Sequence, residues 1–249
     1  MVDEQPVQIN GLSCCSLRVE AFSRGHSVGK ATGFVVEHRH RPFLITNWHV
    51  LAGRNADTDE LLSDTGATPD AIEIVHHAVG ELGHWVRTTE SLTEGGCVRW
   101  LEHPEGRRVD IAALPLSAVA GVAIHPLDMA LGNPEIVPEV AMPVCIIGFP
   151  FGLAAGPGFP IWKIGHIASE PELNYDDRSA FLIDATTRGG MSGSPVVLLT
   201  HGPYRSGSLT ILSGTGIKFL GVYSGRIHDQ ADIGRVWRPD LIQDLLNMA

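Results

Sequence analysis

A serine hydroxyl is a weak nucleophile unless a base stands beside it and hydrogen-bond donors await the charge that develops on its target. The stretch Gly190-Met191-Ser192-Gly193-Ser194-Pro195 is suited to present such a hydroxyl. Glycines on both sides of the serine let the backbone turn sharply, and that turn aims the amides of Gly190 and Ser192 at one point, an oxyanion hole. Gly-x-Ser-Gly alone is common. What sharpens it here is the sequel, Ser194-Pro195 followed by the apolar run Val196-Val197-Leu198-Leu199. A Gly-x-Ser-x-Gly elbow would demand a helix after the serine, and a proline followed by a strand excludes that arrangement.

A base and a group to orient it are also present. Leu44-Ile45-Thr46-Asn47-Trp48-His49-Val50-Leu51 places a histidine, which titrates near neutrality, after an apolar strand and before the turn Ala52-Gly53. Arg108-Val109-Asp110-Ile111-Ala112-Ala113-Leu114 sets a carboxylate among apolar residues, where it is costly to bury without a committed partner. An imidazole N–H is such a partner. A lone histidine is ordinarily structural, and a lone aspartate ordinarily a strand-edge or turn residue. Together His49, Asp110 and Ser192 occur in that order, 61 and 82 residues apart, each in a fitting local setting.

The elements that must hold these groups read as strands. Of 249 residues, 28 are glycine and 16 proline, and 44% are apolar, which suits many short strands and tight turns. Cys15–Phe22, Thr32–Glu37 and Phe43–Thr46 are predicted strands, the last two forming a hairpin about the basic turn His38–Pro42. Asn55–Pro69 is predicted to be a surface loop, then Ala71–His76, Gly83–Thr88 and Val109–Leu116 strands. Pro126–Pro138 is the expected linker. Val140–Phe149 reads as a fully buried strand, followed by Trp162–Ser169, Ala180–Ala185, Pro195–Thr200 and Phe219–Ser224. Arg238–Met248 has helical spacing at Leu241, Ile242, Leu245 and Leu246, with Pro239 in its first turn. No internal repeat is present.

Other classes are disfavoured by composition. The formal net charge of −10 and the scattered basic residues argue against nucleic-acid binding. No apolar run reaches 18 residues, so no membrane span is expected. The opening Met1–Pro6 is acidic and polar rather than a secretory signal, so a cytoplasmic location is expected. Reduced thiols at Cys14, Cys15, Cys97 and Cys145 are expected with it. His38 and His40 could share a strand face, but no third ligand at a recognisable spacing completes a metal site, and none is expected.

Four stretches resemble the bacterial trypsin-like serine peptidases of the chymotrypsin superfamily. They are Ala31-Thr32-Gly33-Phe34-Val35-Val36, Thr46-Asn47-Trp48-His49-Val50, Val109-Asp110-Ile111-Ala112 and Gly190–Pro195. Thr46–Val50 and Ile147-Gly148-Phe149-Pro150-Phe151-Gly152 are most similar to the high-temperature-requirement proteases. The resemblance runs from about residue 30 to the end. It implies an all-β fold, a chymotrypsin-like double six-stranded β-barrel with a C-terminal helix. Residues 1–130 would form the barrel carrying His49 and Asp110, residues 131–235 the barrel carrying Ser192, and residues 236–249 the helix. It implies a serine endopeptidase that needs no cofactor, with Tyr223, Ser224 and Gly225 on the strand that binds extended substrate. The base of the primary pocket falls at Thr186, six residues before the serine. A neutral hydroxyl there argues against Lys or Arg before the scissile bond and for small or apolar residues. Arg188 and Arg226, near the groove, leave an acidic preference open. Met191 replaces the acid that activates secreted relatives, so activation of that kind is not expected. A monomer acting on protein or peptide, with a possible activating partner, is the resulting expectation. The alternatives are a latent protease-fold binding module and a hydrolase of small esters.

Overall fold

The computed structural model describes residues 8–80, 82–133, 135–207, 210–228 and 230–249; the acidic opening at residues 1–6 lies outside them. The chain begins with a short helix, α1 (Gly11–Cys15), and then builds its first half from strands. These are β1 (Ser16–Ser23), β2 (His26–His38), β3 (Arg41–Thr46), β4 (Ala71–Ala78), β5 (Trp85–Ser91), the two-residue pair β6 (Thr93–Glu94) and β7 (Cys97–Val98), β8 (Leu101–Glu102), β9 (Ala112–Pro115) and β10 (Val122–Ala123). A five-residue helix, α2 (Trp48–Ala52), follows β3. Among the described residues the first half forms an eight-stranded antiparallel sheet ordered β10-β4-β1-β2-β3-β9-β8, with β5 beside β4.

The second half comprises β11 (Pro143–Gly148), β12 (Ile161–Ile167), β13 (Ala180–Asp184), β14 (Pro195–Ser206), β15 (Thr210–Arg226) and β16 (Ile233–Trp237), and the helix α3 (Asp240–Leu246) closes the chain. Its six strands join as a closed barrel, β11-β12-β13-β16-β15-β14. The fold is thus all-β and chymotrypsin-like, with a C-terminal helix. The segment between the halves meets the barrel through isolated bridges from Gly132 to Lys218 and from Ile136 to Ser206.

The hairpin of β2 and β3 turns at Arg39 and His40, both at positive φ, and pairs Phe34 with Ile45. It is buried on both faces, which is why it reads as an apolar run rather than an alternation. Ala31, Val35 and Leu44 face a core within the first half, shared with Leu17, Val19, Ile72 and Trp48. Phe34, Val36, Phe43 and Ile45 face the other way, onto a central core with Ile147, Val197, Trp237 and the α3 residues Leu241, Ile242 and Leu245. One hairpin therefore serves as wall to two cores, and the site lies at its edge.

Some elements depart from the sequence-based expectation. β9 starts at Ala112, so Asp110 precedes the strand instead of lying in it. β14 and β15 run well past Thr200 and begin well before Phe219, pairing with each other from Thr200↔Gly216 to Ser206↔Thr210. That extension is largely exposed and rich in Gly, Pro, Ser and Thr, so it has no apolar alternation to read. β16 was not foreseen, because Gly234 and Arg235 interrupt its apolar residues.

Candidate active site

The position of His49 follows from α2. Val50 and Leu51 bury themselves in the first-half core, and Trp48 packs edge-on against Trp100 with centroids 6.3 Å apart. Gly53, at φ +66, ends the helix in the left-handed region and donates its N–H to the His49 carbonyl at 2.9 Å. His49 is left half-buried at the cleft. Asn47 does not cap the helix with its side chain. Its amide nitrogen instead donates to the Asp110 carbonyl at 2.6 Å, tying the loop before β9 to the helix start.

Asp110 is 3% exposed, and both its carboxylate oxygens are committed to one residue. Oδ1 accepts the His49 backbone N–H at 2.9 Å, and Oδ2 accepts the ring Nδ1–H at 2.7 Å. A carboxylate can only accept, so Nδ1 carries the proton and the Nε2 lone pair is left for another partner. Burial pulls the His49 pKa down, but the Asp110 charge and hydrogen bond, with the more distant Asp57 charge, carry it above the ordinary value.

Ser192 sits on a turn that the first half helps to hold. The Thr32 N–H donates to the Ser192 carbonyl at 2.8 Å, and the Thr32 hydroxyl donates to the Gly190 carbonyl at 2.8 Å while accepting the Phe149 N–H at 3.0 Å. Thr46 adds a hydroxyl donated to the Thr32 carbonyl at 2.8 Å. Phe151 N–H takes the Gly189 carbonyl at 2.6 Å, and on the barrel side Gly193 N–H donates to the Tyr223 carbonyl at 2.9 Å. Gly193 has φ +85, and a Cβ there would lie 2.0 Å from the Thr32 carbonyl oxygen, so the turn has no room for a side chain. Within the described residues the N–H groups of Gly190 and Ser192 donate to no protein acceptor. Both amides thus lie on the turn that carries the Ser192 hydroxyl, without a protein acceptor.

Two cavities flank His49. One of about 740 Å³ is lined by His49, Asp57, Asp110, Ser224, Gly225 and Arg226. The other, of about 230 Å³, is reached by His49, Gly190 and Ser192 and walled by Val28, Ala31 and Leu62. Together they make a cleft passing across the serine and the imidazole. Ser224 and Gly225 are half-buried at its edge. They fall where the β15–β16 register shifts between Tyr223 and Arg226, so they take no part in that ladder.

The remaining residues named from sequence are distributed unevenly. Thr186 and Arg188 are exposed and both meet Asp232, at 3.5 Å and 3.2 Å. Arg226 is exposed at the cleft. Tyr223 turns its side chain inward: it is 1% exposed, and its hydroxyl hydrogen-bonds the buried Thr187 Oγ1. Sequence reasoning missed Asp57, which hydrogen-bonds Arg178 and reaches Arg235 at 3.4 Å, joining the His49 loop to the barrel. A single acid in a polar loop carries no signal for such a role. The part played by Thr32 was also missed, although its Thr-Gly stretch had been noted. Among the described residues no three of His, Cys, Asp and Glu gather as a metal site, and no helix is long and apolar enough to cross a membrane.

Comparison with known proteins bears on the family and the fold. The sequence profile of the trypsin-like peptidase domain matches residues 31–202, well over half of the chain. No curated protein sequence matches it. Among solved structures, the active form of the Rv3671c protease from M. tuberculosis is similar at 18% identity and a TM-score of 0.51, over 95% of this chain and 81% of that one. The serine endoprotease from Yersinia pestis is similar at 15% identity and a TM-score of 0.52, over 98% of this chain and 67% of that one. At such identities the likeness concerns the fold.

Proposed function

The chain belongs to the trypsin-like peptidase domain family, and from that premise we propose that it is a serine endopeptidase whose catalytic triad is His49, Asp110 and Ser192. The observation that carries the reading is the double engagement of His49 by Asp110, through the backbone N–H and through Nδ1, which leaves Nε2 free on the cleft that Ser192 shares. A carboxylate only 3% exposed and committed to one imidazole orients it and steadies its protonated form.

In the proposed reaction Ser192 Oγ attacks a peptide carbonyl while His49 Nε2 takes its proton. The carbonyl oxygen gains charge between the Gly190 and Ser192 amides. His49 then gives the proton to the leaving amine, and an acyl-enzyme remains. Water, deprotonated by the same nitrogen, releases the acid and restores Ser192. Ser224 and Gly225, outside the β15–β16 ladder, suit pairing with an extended peptide backbone, which favours peptides over small esters. Thr186 has a neutral hydroxyl, which supports a primary pocket that does not select Lys or Arg. Four unpaired thiols suit a reducing, cytoplasmic setting.

The test is labelling of the full chain with a fluorophosphonate probe. Labelling of the native protein that vanishes in both Ser192→Ala and His49→Ala is the expected result. A folded native chain that takes no label, or a Ser192→Ala variant that still does, overturns the assignment.

A further inference from the structure

A peptide whose reacting carbonyl oxygen lies between the Gly190 and Ser192 amides, with its backbone along Ser224 and Gly225, is fixed at two points. The side chain before the scissile bond must then drop between two walls, residues 186–189 and residues 224–226, toward a floor at β16. Between those segments lies a side chain of the protein's own barrel core. Tyr223 directs its ring there from the start of the second wall, with its hydroxyl on Thr187 Oγ1 in the first. The ring lies on Gly234 of β16, so closely that a Cβ at Gly234 would be 2.3 Å from the tyrosine Cε2. Both Tyr223 and Thr187 are buried, so the plug is packed and anchored. Across the rim, Asp232 takes hydrogen bonds from Thr186 and Arg188.

We infer that Tyr223 fills the primary specificity pocket and restricts the residue before the scissile bond to Gly, Ala or Ser. The inference rests on the proposed triad and narrows the expectation drawn from Thr186: large apolar side chains are excluded along with Lys and Arg. Arg188 does not reach down to receive an acid either, because it is tied to Asp232 and to the Thr187 carbonyl at 2.6 Å. Tyr223 is a specificity-determining residue through the space it takes, and Gly234 is what admits its ring.

The test is a peptide series varied only before the scissile bond, as Ala, Ser, Leu, Phe, Arg and Glu, with active sites titrated by the fluorophosphonate probe. For the native chain, kcat/KM for Ala is expected to exceed that for Leu, Phe and Arg by about 100-fold, a discrimination typical of a filled or open pocket. Tyr223→Ala is expected to raise the ratio of cleavage after Leu and Phe to cleavage after Ala by roughly 10- to 100-fold. Tyr223→Phe, which keeps the ring, is expected to keep the native preference. If Tyr223→Ala does not fold, Tyr223→Val opens part of the same space, and the native profile decides by itself. A labelled native enzyme that cuts after Phe, Leu or Arg as fast as after Ala overturns the pocket assignment alone. A native chain that takes no label overturns the triad and the pocket with it.

Discussion

Replacing Thr32 with valine tests whether the first half of the molecule holds the oxyanion turn of the second. The two side chains have nearly the same shape, and the backbone bonds of Thr32 to Ser192 and Thr46 survive the change. What is lost is the hydroxyl. The Gly190 carbonyl at 2.8 Å loses its donor and the Phe149 N–H at 3.0 Å loses its acceptor. Thr32 is fully buried, so no water takes either place without the site opening. A buried polar group left unpaired costs about 1–3 kcal/mol, so the two together cost roughly 2–6 kcal/mol. Against a total stability of about 5–15 kcal/mol the variant folds but melts well below the native chain. The Gly190–Met191 peptide loses its anchor, which loosens the adjoining peptide whose Gly190 N–H is one of the two oxyanion donors in the proposed reaction. Misplacing such a donor lowers kcat by about 10²-fold or more, with little effect on KM. The assay is steady-state hydrolysis of an Ala peptide beside thermal melting, for Thr32→Val and for Thr32→Ser, which restores a hydroxyl. Expected are a loss of both kcat and stability in the valine variant and recovery of most of each in the serine variant. A valine variant that melts early yet keeps native kcat well below its melting temperature refutes the coupling of Thr32 to catalysis.

Asp110→Asn is expected to lower kcat/KM by on the order of 10³–10⁴, because an amide nitrogen can impose the wrong tautomer on His49, while fluorophosphonate labelling slows in parallel. The kcat/KM profile of the native enzyme is expected to rise with pH at a midpoint above the ordinary histidine value, since His49 must lose a proton before it can act as base. Asp57→Asn removes one of the charges that hold the proton, so this limb moves to lower pH; a limb that stays put refutes the link. His76 and His77 are buried and their pKa values are lowered to about 4, chiefly by burial, with His125 adding to the effect at His77. The unfolded chain takes up these protons near pH 6.5 and the folded chain does not until about pH 4. Stability is therefore complete above pH 6.5 and falls between the two values, by on the order of 3 kcal/mol for each histidine. Melting curves from pH 7.5 to 4.5 measure this, and His77→Phe, which suits the ring contacts with Trp85 and Phe159, is expected to flatten them.

The residues of the proposed triad stand out in the sequence because each has a marked local setting: a serine between glycines, a histidine just after a buried strand, a carboxylate among apolar neighbours. The β2–β3 hairpin was legible because both of its faces are buried and its turn is basic. The exposed arm of β14 and β15 was not, since backbone pairing in the absence of a core face leaves no periodicity in the residues. The roles of Thr32, Asp57 and Tyr223 were hidden for a different reason. Each acts on a partner more than 35 positions away or on the far half of the chain, as in Thr32 with Gly190 and Asp57 with Arg178. Local pattern places side chains on faces, and only closure of the chain decides what those faces meet.

The turn that carries Ser192 is pinned from both directions along the chain, and this orders events at the ribosome. Thr32 is made early, but the Tyr223 carbonyl and N–H that hold Gly193 and Ser194 at 2.9 Å emerge more than 30 residues after the serine. Beyond them, β16 must still arrive to back β15 and seat the tyrosine ring on Gly234. A nascent chain that already holds His49, Asp110 and Ser192 thus lacks the supports of the Ser192 turn and the Ser224–Gly225 edge that the proposed reaction uses. The Ser192 turn therefore reaches its final support only once β15 and β16 have been synthesised and packed.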